Sequence, residues 1–163
     1  MTLSVLAVCA GNICRSPSAE AAIKEAAEAL GIDVSVDSAG TGSWNIGGPP
    51  NSQAIAAGER AGLTIEGRAR MVNSLDFDRH DVIVVMDRAN LRDILSMTPS
   101  LESRAKVRLF RTYEADSDED EVPDPYGGPD EGYDETIRIV RAAASGLVES
   151  LVSAGVESVV TLE

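Results

Sequence analysis

Near the start of the chain the sequence runs Leu3-Ser-Val-Leu-Ala-Val-Cys9-Ala-Gly-Asn-Ile-Cys-Arg-Ser16. Residues 3–8 form a short apolar run before a glycine-containing turn, which predicts a buried strand. A helix is expected next, with Ser16 as its N-cap and Pro17 at its first helical position, because these residue types favour those positions. Gly31 ends the predicted helix. The stretch therefore predicts a strand, a tight turn and a helix in direct succession.

The same alternation continues along the chain. Further strands are predicted at residues 34–36, 81–86 and 107–110, and further helices at 52–61, 90–97 and 132–154. Strands that alternate with helices indicate an α/β fold with a parallel sheet and helices on both faces. We expect a single domain over residues 1–155 and a C-terminal tail over 156–163. Ligands of such sheets bind beyond the carboxyl ends of the strands, which favours the turn after the first strand as the site.

The composition excludes several classes of protein. The chain has 163 residues, of which 44% are hydrophobic and 25% charged, as in a globular protein. Its net charge of −13 repels nucleic acids and anionic membranes, so neither is expected as a partner. No apolar run is long enough to cross a membrane, and the first residues lack the basic region of a signal peptide. These features predict a cytoplasmic protein.

The few cysteines and histidines limit the possible chemistry. The two cysteines, Cys9 and Cys14, cannot form a disulfide framework and do not make a Cys-x-x-Cys pair. His80 is the only histidine, so no zinc site is predicted, and we expect neither a metal nor a cofactor. Because His80 lies in a polar segment before a predicted strand, we expect it to be exposed and without a catalytic role.

The turn from Cys9 to Ser16 has the properties of an anion-binding site. Its backbone N–H groups and the start of the following helix favour a bound phosphate, and Arg15 adds a planar guanidinium that matches two phosphate oxygens. Cys9 lies in the same field, which favours its ionised, nucleophilic form without a histidine base. Ser16 can donate a hydrogen bond to the sulfur. The alternative is a buried cysteine at a strand end, followed by a helix that begins with arginine by chance.

Residues 8–17 closely resemble the signature of the low-molecular-weight protein tyrosine phosphatases. The resemblance continues to about residue 150, in the family's order, through Asp37-Ser-Ala-Gly-Thr41, Trp44-Asn-Ile-Gly47, Ala69-Arg70, Asp76-Phe77, Met86-Asp-Arg-Ala-Asn-Leu91 and Asp124-Pro-Tyr126. It implies a three-layer fold in which a four-stranded parallel sheet has the order 2-1-3-4. It also implies hydrolysis of phosphotyrosine in proteins through a phosphocysteine intermediate.

The resemblance implies a role for each of several residues. Cys9 is the implied nucleophile, Arg15 the phosphate clamp, and Asp124 the general acid and base. The implied partners are a tyrosine-phosphorylated protein, for which a tyrosine kinase is one candidate, and inorganic phosphate or another oxyanion as product or inhibitor. We expect the protein to be a monomer. The implied phosphate-binding loop is Ala10, Gly11, Asn12, Ile13, Cys14, Arg15 and Ser16, with Asn12, Ser16 and Ser38 as loop support.

Two further features indicate a pocket for an aryl phosphate. Asp124 lies between Pro123 and Pro125, which restrict the backbone and hold its carboxyl group on a stiff loop. Trp44 and Tyr126 are two of only six aromatic residues, and both lie in polar, glycine-rich loops. An aspartate in a plain turn and a tryptophan that covers the core are the alternatives. The predicted substrate pocket consists of Ala10, Trp44, Asn45 and Tyr126.

Three positions bear on the identity of the substrate. The family often has a larger residue in place of Ala10 and a second aromatic residue in place of Gly127, and both differences widen the pocket entrance. Related protein-arginine phosphatases have threonine in place of Ile13, so Ile13 favours phosphotyrosine over phosphoarginine. A phosphatase that acts on another phosphomonoester is the alternative.

Two other functions use a similar loop. An arsenate reductase would need further shuttle cysteines, and none follows Cys14. An inactive phosphopeptide-binding module would usually have lost the nucleophile, the arginine or the acid, and all three are present.

Two features of the sequence have competing interpretations. For Cys14 we expect a redox role, in which oxidised Cys9 condenses with it to a reversible disulfide, and a small buried apolar side chain is the alternative. Residues 114–121 contain six acidic residues in eight positions and are expected to form a solvated loop. Selection of basic substrates is the alternative for this loop.

Overall fold

The structure, a computed structural model, describes residues 2–156. At its centre lies a parallel sheet with the strand order β2-β1-β3-β4. The strands are β1 (Leu3–Cys9), β2 (Val34–Gly40), β3 (Val82–Val85) and β4 (Val107–Leu109). The helices are α1 (Arg15–Ala29), α2 (Ser52–Arg60), α3 (Asp76–Arg79), α4 (Arg88–Leu95), α5 (Leu101–Ala105) and α6 (Asp130–Leu151). The predicted α/β fold and its strand order are confirmed.

The central strand β1 is buried on both sides. Alternate side chains of a strand point to opposite faces of the sheet. On one face Val5, Ala7 and Cys9 pack against α1, α2 and α6. On the other face Leu6 and Val8 pack against α3 and α4. Helices therefore cover both faces, and the carboxyl end of β1, at Cys9, lies inside the molecule.

Helix α6 makes one very close contact with the 3-10 turn Phe110–Tyr113. A Cβ atom at Gly146 would lie 1.8 Å from the carbonyl oxygen of Tyr113. Real Cβ atoms do not approach a backbone oxygen so closely, so only glycine fits here without a shift of one element. The absence of a side chain at Gly146 thus sets how closely α6 packs on this turn.

The first two strands and α1 differ in detail from the prediction. β2 continues to Gly40 rather than ending at residue 36, because residues 37–40 stay paired with residues 6–9 of β1. The predicted N-cap of α1 was wrong, since Cys14 occupies that position and makes no side-chain cap. The hydroxyl group of Ser16 lies instead 3.0 Å from the sulfur of Cys9. The Ser16 side chain, which was expected to cap the helix, therefore contacts the nearby cysteine in the turn.

The later helices also begin earlier than predicted. α4 begins at Arg88 because Asp87 and Asn90 form a capping box, in which each side chain accepts from the other residue's backbone N–H. α6 runs from Asp130 to Leu151 rather than over 132–154, and the short helices α3 and α5 were not predicted. No helix in the described range is long and apolar enough to span a membrane. Residues 157–163 of the predicted tail lie outside the described residues.

The expected exposure of His80 is wrong. Its side chain is buried, with 8% of the residue exposed. Nδ1 lies 2.8 Å from the hydroxyl oxygen of Ser4, and Nε2 lies 3.5 Å from a carboxylate oxygen of Asp76. Ser4 is at the amino end of β1, whereas Cys9 is at its carboxyl end. His80 therefore lies at the amino ends of the strands, whereas the predicted site lies at their carboxyl ends.

Candidate active site

The loop between β1 and α1 encloses the sulfur of Cys9. The residue is buried, and its sulfur lies 3.0 Å from the hydroxyl oxygen of Ser16. The backbone N–H of Asn12 donates to the same sulfur at 3.3 Å. Two donors thus converge on one sulfur atom at the start of a helix.

The backbone of this loop is turned so that its N–H groups face inward. In a planar trans peptide the C=O of one residue and the N–H of the next point in opposite directions. Five loop carbonyls accept hydrogen bonds from outside the loop, so the following N–H groups point to the inner side, where an anion would lie. These carbonyls belong to Cys9, Ala10, Gly11, Ile13 and Cys14, and their donors belong to Thr41, Gly42, Asn45, Asn51 and Ser18.

Asn12 supports the loop from behind. It has a left-handed backbone with a φ of 56°, which is uncommon for residues other than glycine. Its side-chain amide donates to the hydroxyl oxygens of Ser16, at 2.8 Å, and Ser38, at 3.1 Å. Its side-chain oxygen accepts the N–H of Arg70 at 3.0 Å. Three hydrogen bonds therefore hold the strained residue whose own N–H points at the sulfur of Cys9.

Arg15 is a buried cation, with 3% of the residue exposed. Its NH1 donates to a carboxylate oxygen of Asp87 at 2.7 Å and to the carbonyl oxygen of Val122 at 3.0 Å. Its NH2 lies 3.8 Å from a carboxylate oxygen of Asp124. Burial would raise the pKa of Asp87, but hydrogen bonds from Arg15 and from the backbone of Asn90 outweigh burial and lower that pKa. Asp87 is therefore a stable anionic partner for the guanidinium.

One pocket of about 270 Å³ joins the loop to four more distant predicted residues. Trp44 and Tyr126 are its aromatic side chains, and they are 68% and 66% exposed. The indole ring of Trp44 packs against the backbone of Gly42. A Cβ atom at Gly42 would lie 1.5 Å from that ring, so the packing requires glycine at this position. The lining residues are Cys9, Ala10, Gly11, Ile13, Cys14, Arg15, Trp44, Asn45, Asp124 and Tyr126.

The comparison with known proteins agrees with this arrangement. The sequence model of the family described as "Low molecular weight phosphotyrosine protein phosphatase" matches residues 4–157. The chain belongs to this family. A low molecular weight protein-tyrosine-phosphatase of Streptomyces coelicolor is 40% identical to this phosphatase over 158 residues, which cover 93% of this chain and 94% of the relative. The human low molecular weight phosphotyrosine protein phosphatase is 36% identical, over 86% of this chain and 93% of its own.

Solved structures give the same fold. A protein tyrosine phosphatase from Entamoeba histolytica, crystallised with Hepes in its active site, matches this phosphatase with a TM-score of 0.90 and 32% identity. The match covers 93% of this chain and 98% of that one. YfkJ from Bacillus subtilis matches with a TM-score of 0.87 and 34% identity, over 95% of this chain and 98% of that one. The predicted family is therefore confirmed.

Cys14 of the phosphatase lies in the same pocket wall but in very different surroundings from Cys9. Burial, together with nearby Cys9 and Asp124, raises the pKa of the Cys14 thiol to about 12. The buried hydroxyl of Tyr133 lies close to this thiol, without reaching hydrogen-bond geometry with any described residue. Cys14 is therefore protonated at neutral pH.

The structure brings together every residue that the sequence placed in the site, with ten around the pocket and Asn12, Ser16 and Ser38 behind the loop. The sequence analysis missed Asp87 as the partner of Arg15. The pattern Asp87-x-x-Asn90 at the end of a strand is typical of a capping box and could have drawn attention to it. No group of three or more metal-ligating side chains that could hold an ion occurs in residues 2–156.

Proposed function

We propose that this phosphatase hydrolyses phosphotyrosine in proteins in two steps, through a phosphocysteine at Cys9. The observation that supports it most directly is the arrangement of a single pocket. The sulfur of Cys9 lies at the bottom of this pocket, within a loop whose N–H groups point inward. Arg15 and Asp124 also line the pocket, and the guanidinium lies 3.8 Å from the carboxylate. Membership of the family supports the same activity.

In the first step the Cys9 thiolate attacks the phosphorus atom of the substrate. A P–S bond forms as the bond from phosphorus to the phenol oxygen breaks. Asp124, in its protonated form, gives its proton to the leaving oxygen, because a phenolate is a poor leaving group. The N–H of Tyr126 donates to one carboxylate oxygen of Asp124 at 3.2 Å, so the other oxygen is the one available for this proton.

In the second step water cleaves the phosphocysteine. The Asp124 carboxylate takes a proton from the water molecule, whose oxygen attacks phosphorus as the P–S bond breaks. The leaving thiolate is stabilised by the same two donors that surround it in the free enzyme, the N–H of Asn12 and the hydroxyl of Ser16. Phosphate leaves, and Asp124 is again protonated for the next substrate.

The charge of the bound phosphoryl group is balanced locally, although the chain as a whole carries −13. NH1 of Arg15 is occupied by Asp87 and Val122. Nε and NH2 are left for two oxygens of the phosphoryl group, which is the bidentate geometry that guanidinium groups favour. Donors fixed before the substrate arrives stabilise the transition state without a cost of reorganisation.

The shape of the pocket supports an aryl phosphate as substrate. Trp44 and Tyr126 present exposed aromatic surface at the pocket, where a phenyl ring would lie between phosphate and solvent. Ala10 and Asn45 complete the substrate-binding wall. Substrates are thus proteins that carry phosphotyrosine, and phosphate or similar oxyanions bind the same loop. Action as a monomer in the cytoplasm is part of the same proposal.

Cys14 is proposed as a redox guard of the nucleophile. Hydrogen peroxide oxidises the Cys9 thiolate to a sulfenic acid, and the sulfur of Cys14 then attacks it. The S–S bond forms, and water leaves with the Cys14 proton, so a thiol reductant can restore both cysteines. Both cysteines line the same pocket, which supports this role. The raised pKa of Cys14 keeps that sulfur from being oxidised first and also makes its attack on the sulfenic acid slow.

The redox role is tested by exposing wild type and Cys14→Ala to hydrogen peroxide and then to dithiothreitol. We expect wild type to recover most of its activity and Cys14→Ala to lose it irreversibly, because its sulfenic acid has no thiol with which to condense. Equal recovery of both proteins would leave Cys14 with only a packing role.

The nucleophile is tested with Cys9→Ser and para-nitrophenyl phosphate. We expect no turnover, because a serine hydroxyl is not ionised in this loop, while inorganic phosphate still raises the melting temperature of the variant. The phosphate-induced shift is the control for an intact loop. Hydrolysis at the wild-type rate would exclude a phosphocysteine at Cys9.

The role of Asp124 as the general acid is tested by comparing wild type and Asp124→Asn on two substrates with different leaving groups. We expect hydrolysis of an alkyl phosphate, which has a poor leaving group, to fall by about 10²–10⁴-fold, the usual contribution of a positioned acid. Hydrolysis of para-nitrophenyl phosphate should fall much less in the phosphorylation step, which a burst measurement isolates. Equal losses for both substrates would remove Asp124 from proton transfer.

A further inference from the structure

A second groove lies behind the wall of the active-site pocket. It has a volume of about 270 Å³ and lies between residues 123–129 and helix α6. Asp124 and Tyr126 line both the groove and the active-site pocket. The two spaces are thus separated by the thickness of one loop, so a peptide bound across Tyr126 would reach both.

The backbone of the groove offers little to a polar ligand. Three of its residues are prolines, which carry no N–H: Pro123, Pro125 and Pro129. The N–H groups of three more are already used within the loop and the first turn of α6. They are those of Tyr126, Gly128 and Gly132, which donate to the Asp124 carboxylate and to the carbonyl oxygens of Pro125 and Pro129 respectively.

The two polar side chains that α6 contributes to the groove are already hydrogen-bonded. The hydroxyl of Thr136 donates to the carbonyl oxygen of Gly132 at 3.0 Å. The carboxylate of Glu135 accepts from the guanidinium of Arg138 at 2.6 Å. Ile139 supplies an apolar side chain to the lining. A phosphate would find no cation or free donor among these groups, whereas an aliphatic group would find apolar surface.

We infer that this groove binds one aliphatic side chain of the phosphoprotein substrate, within about three residues of the phosphotyrosine. This inference rests on the proposed function, since the groove selects among substrates of that same site. The groove is slightly smaller than the range of about 300–1,000 Å³ typical of small-molecule sites, so one side chain is the matching occupant. The prolines hold the groove in shape before binding, which lowers the cost of ordering it.

The inference is tested first on the wild-type enzyme. A series of phosphotyrosine peptides with serine at every other position carries a single leucine at each position from three before to three after the phosphotyrosine. We expect one position to raise kcat/KM by about tenfold, at the lower end of the discrimination that apolar pockets achieve. An equal kcat/KM across the series would overturn the inference.

Blocking the groove locates the effect. A Cβ atom at Gly132 would lie 3.7 Å from Cβ of Pro125, an ordinary contact, so Gly132→Leu places its branch in the groove without a clash at the backbone. Glu135→Trp, at an exposed position that lines the same groove, is the second blocking variant. Ser145→Leu, on the exposed surface of α6, is the matched control.

We expect both blocking variants to lose the tenfold preference for leucine, and the control to keep it. All three should hydrolyse para-nitrophenyl phosphate at the wild-type rate, because that substrate fills only the active-site pocket. A preference that survives in both blocking variants would overturn the inference and leave the proposed function intact. Failure of the wild type to hydrolyse para-nitrophenyl phosphate would instead overturn the proposed function.

Discussion

Arg15 depends for its position on a carboxylate that lies 72 positions further along the chain. Asp87 accepts from NH1 of Arg15 and also caps the amino terminus of α4. One side chain therefore connects the phosphate loop after β1 with the helix after β3. These two strands are neighbours in the sheet, so their carboxyl ends bring the two residues together.

Replacing Asp87 with asparagine separates these two roles. Asp87→Asn keeps a side-chain oxygen for the cap and removes the negative charge opposite Arg15. We expect kcat/KM for para-nitrophenyl phosphate to fall by about 10²-fold, the effect of a misplacement near 1 Å at a catalytic centre. Steady-state kinetics measures the loss of kcat/KM, and urea unfolding measures whether the helix cap, and with it the stability, is kept.

Asn90→Ala is the matched control for this prediction. It breaks the capping box and leaves the pair between Arg15 and Asp87 in place. We expect it to lose about 1 kcal/mol of stability, as caps usually contribute, and to keep its kcat/KM. If the two variants have the same kcat/KM, the carboxylate does not position the guanidinium.

At the level of single residues, local patterns predicted the loop well. The spacing of Cys9, Arg15 and Ser16 after an apolar strand could be interpreted because all three lie within one turn. The partners of Arg15 could not be predicted in the same way, since Asp87 and Val122 approach it only through the order of the strands. The burial of His80 was missed for the same reason, because its partner Ser4 lies in β1, 76 positions earlier in the chain.

At the level of elements, α6 shows how a glycine can be required by packing rather than by backbone conformation. Gly146 has no unusual φ, yet it lies where a Cβ atom would meet the carbonyl oxygen of Tyr113 at 1.8 Å. A helical pattern in the sequence predicts the helix, but it gives no sign of which residue faces a neighbouring turn. The contact could be found only in three dimensions.

Gly146→Ala is therefore expected to destabilise the fold, although alanine favours helices by about 1 kcal/mol over glycine. Overpacking costs about 1–3 kcal/mol, and here the colliding atom belongs to the backbone. Gly132→Ala in the same helix is the control, since its Cβ atom would make an ordinary contact at 3.7 Å. Urea unfolding should give a lower stability for the first variant and no loss for the second. Equal stabilities would mean that the turn adjusts without cost.

The boundaries that the sequence analysis misplaced share a physical cause. Residues 37–40 include Asp37, Ser38 and Gly40, which are poor strand formers, and pairing with β1 overrides that preference. Ser16 was expected to cap α1 because serine favours that position, but its hydroxyl group forms a hydrogen bond with the sulfur of Cys9 instead. Local propensity thus gives the type of each element, and tertiary contacts at the site set where it begins and ends.

At the level of the whole molecule, the acidic segment 114–121 is paired with specific arginines from other parts of the chain. The ends of the acidic segment 114–121 are held, because Arg111 pairs with Glu114 and the side chain of Arg88 contacts Asp120. The backbone N–H of Arg88 also donates to Glu121 at 2.8 Å. Residues 115 and 116 and residues 118 and 119 between these anchors are exposed. The centre of the segment is thus exposed, as expected for a solvated loop, whereas the side chain of Glu114 at one end is buried against Arg111.

The buried group around His80 connects stability to pH. Burial is the main cause that lowers the pKa of His80, with a further contribution from Arg70, and together they outweigh the carboxylates of Asp76 and Asp37. Asp76 remains charged, because hydrogen bonds from Arg70 and from the backbone of Asn73 lower its pKa despite burial. Folded His80 therefore gains its proton only at a pH below its ordinary pKa of 6.5.

A histidine whose pKa is lower in the folded chain than in the unfolded chain binds fewer protons when folded. Its contribution to stability is complete above the unfolded value of 6.5 and is lost as the pH falls from there through the folded pKa. We expect the free energy of unfolding to fall as the pH drops below about 7, with a slope of at most about 1.4 kcal/mol per pH unit from this group. Because the chain has no other histidine, His80→Gln should flatten the curve in this window. Urea unfolding of both proteins at half-unit steps measures the difference, and parallel curves would show that His80 titrates alike in the folded and unfolded chains.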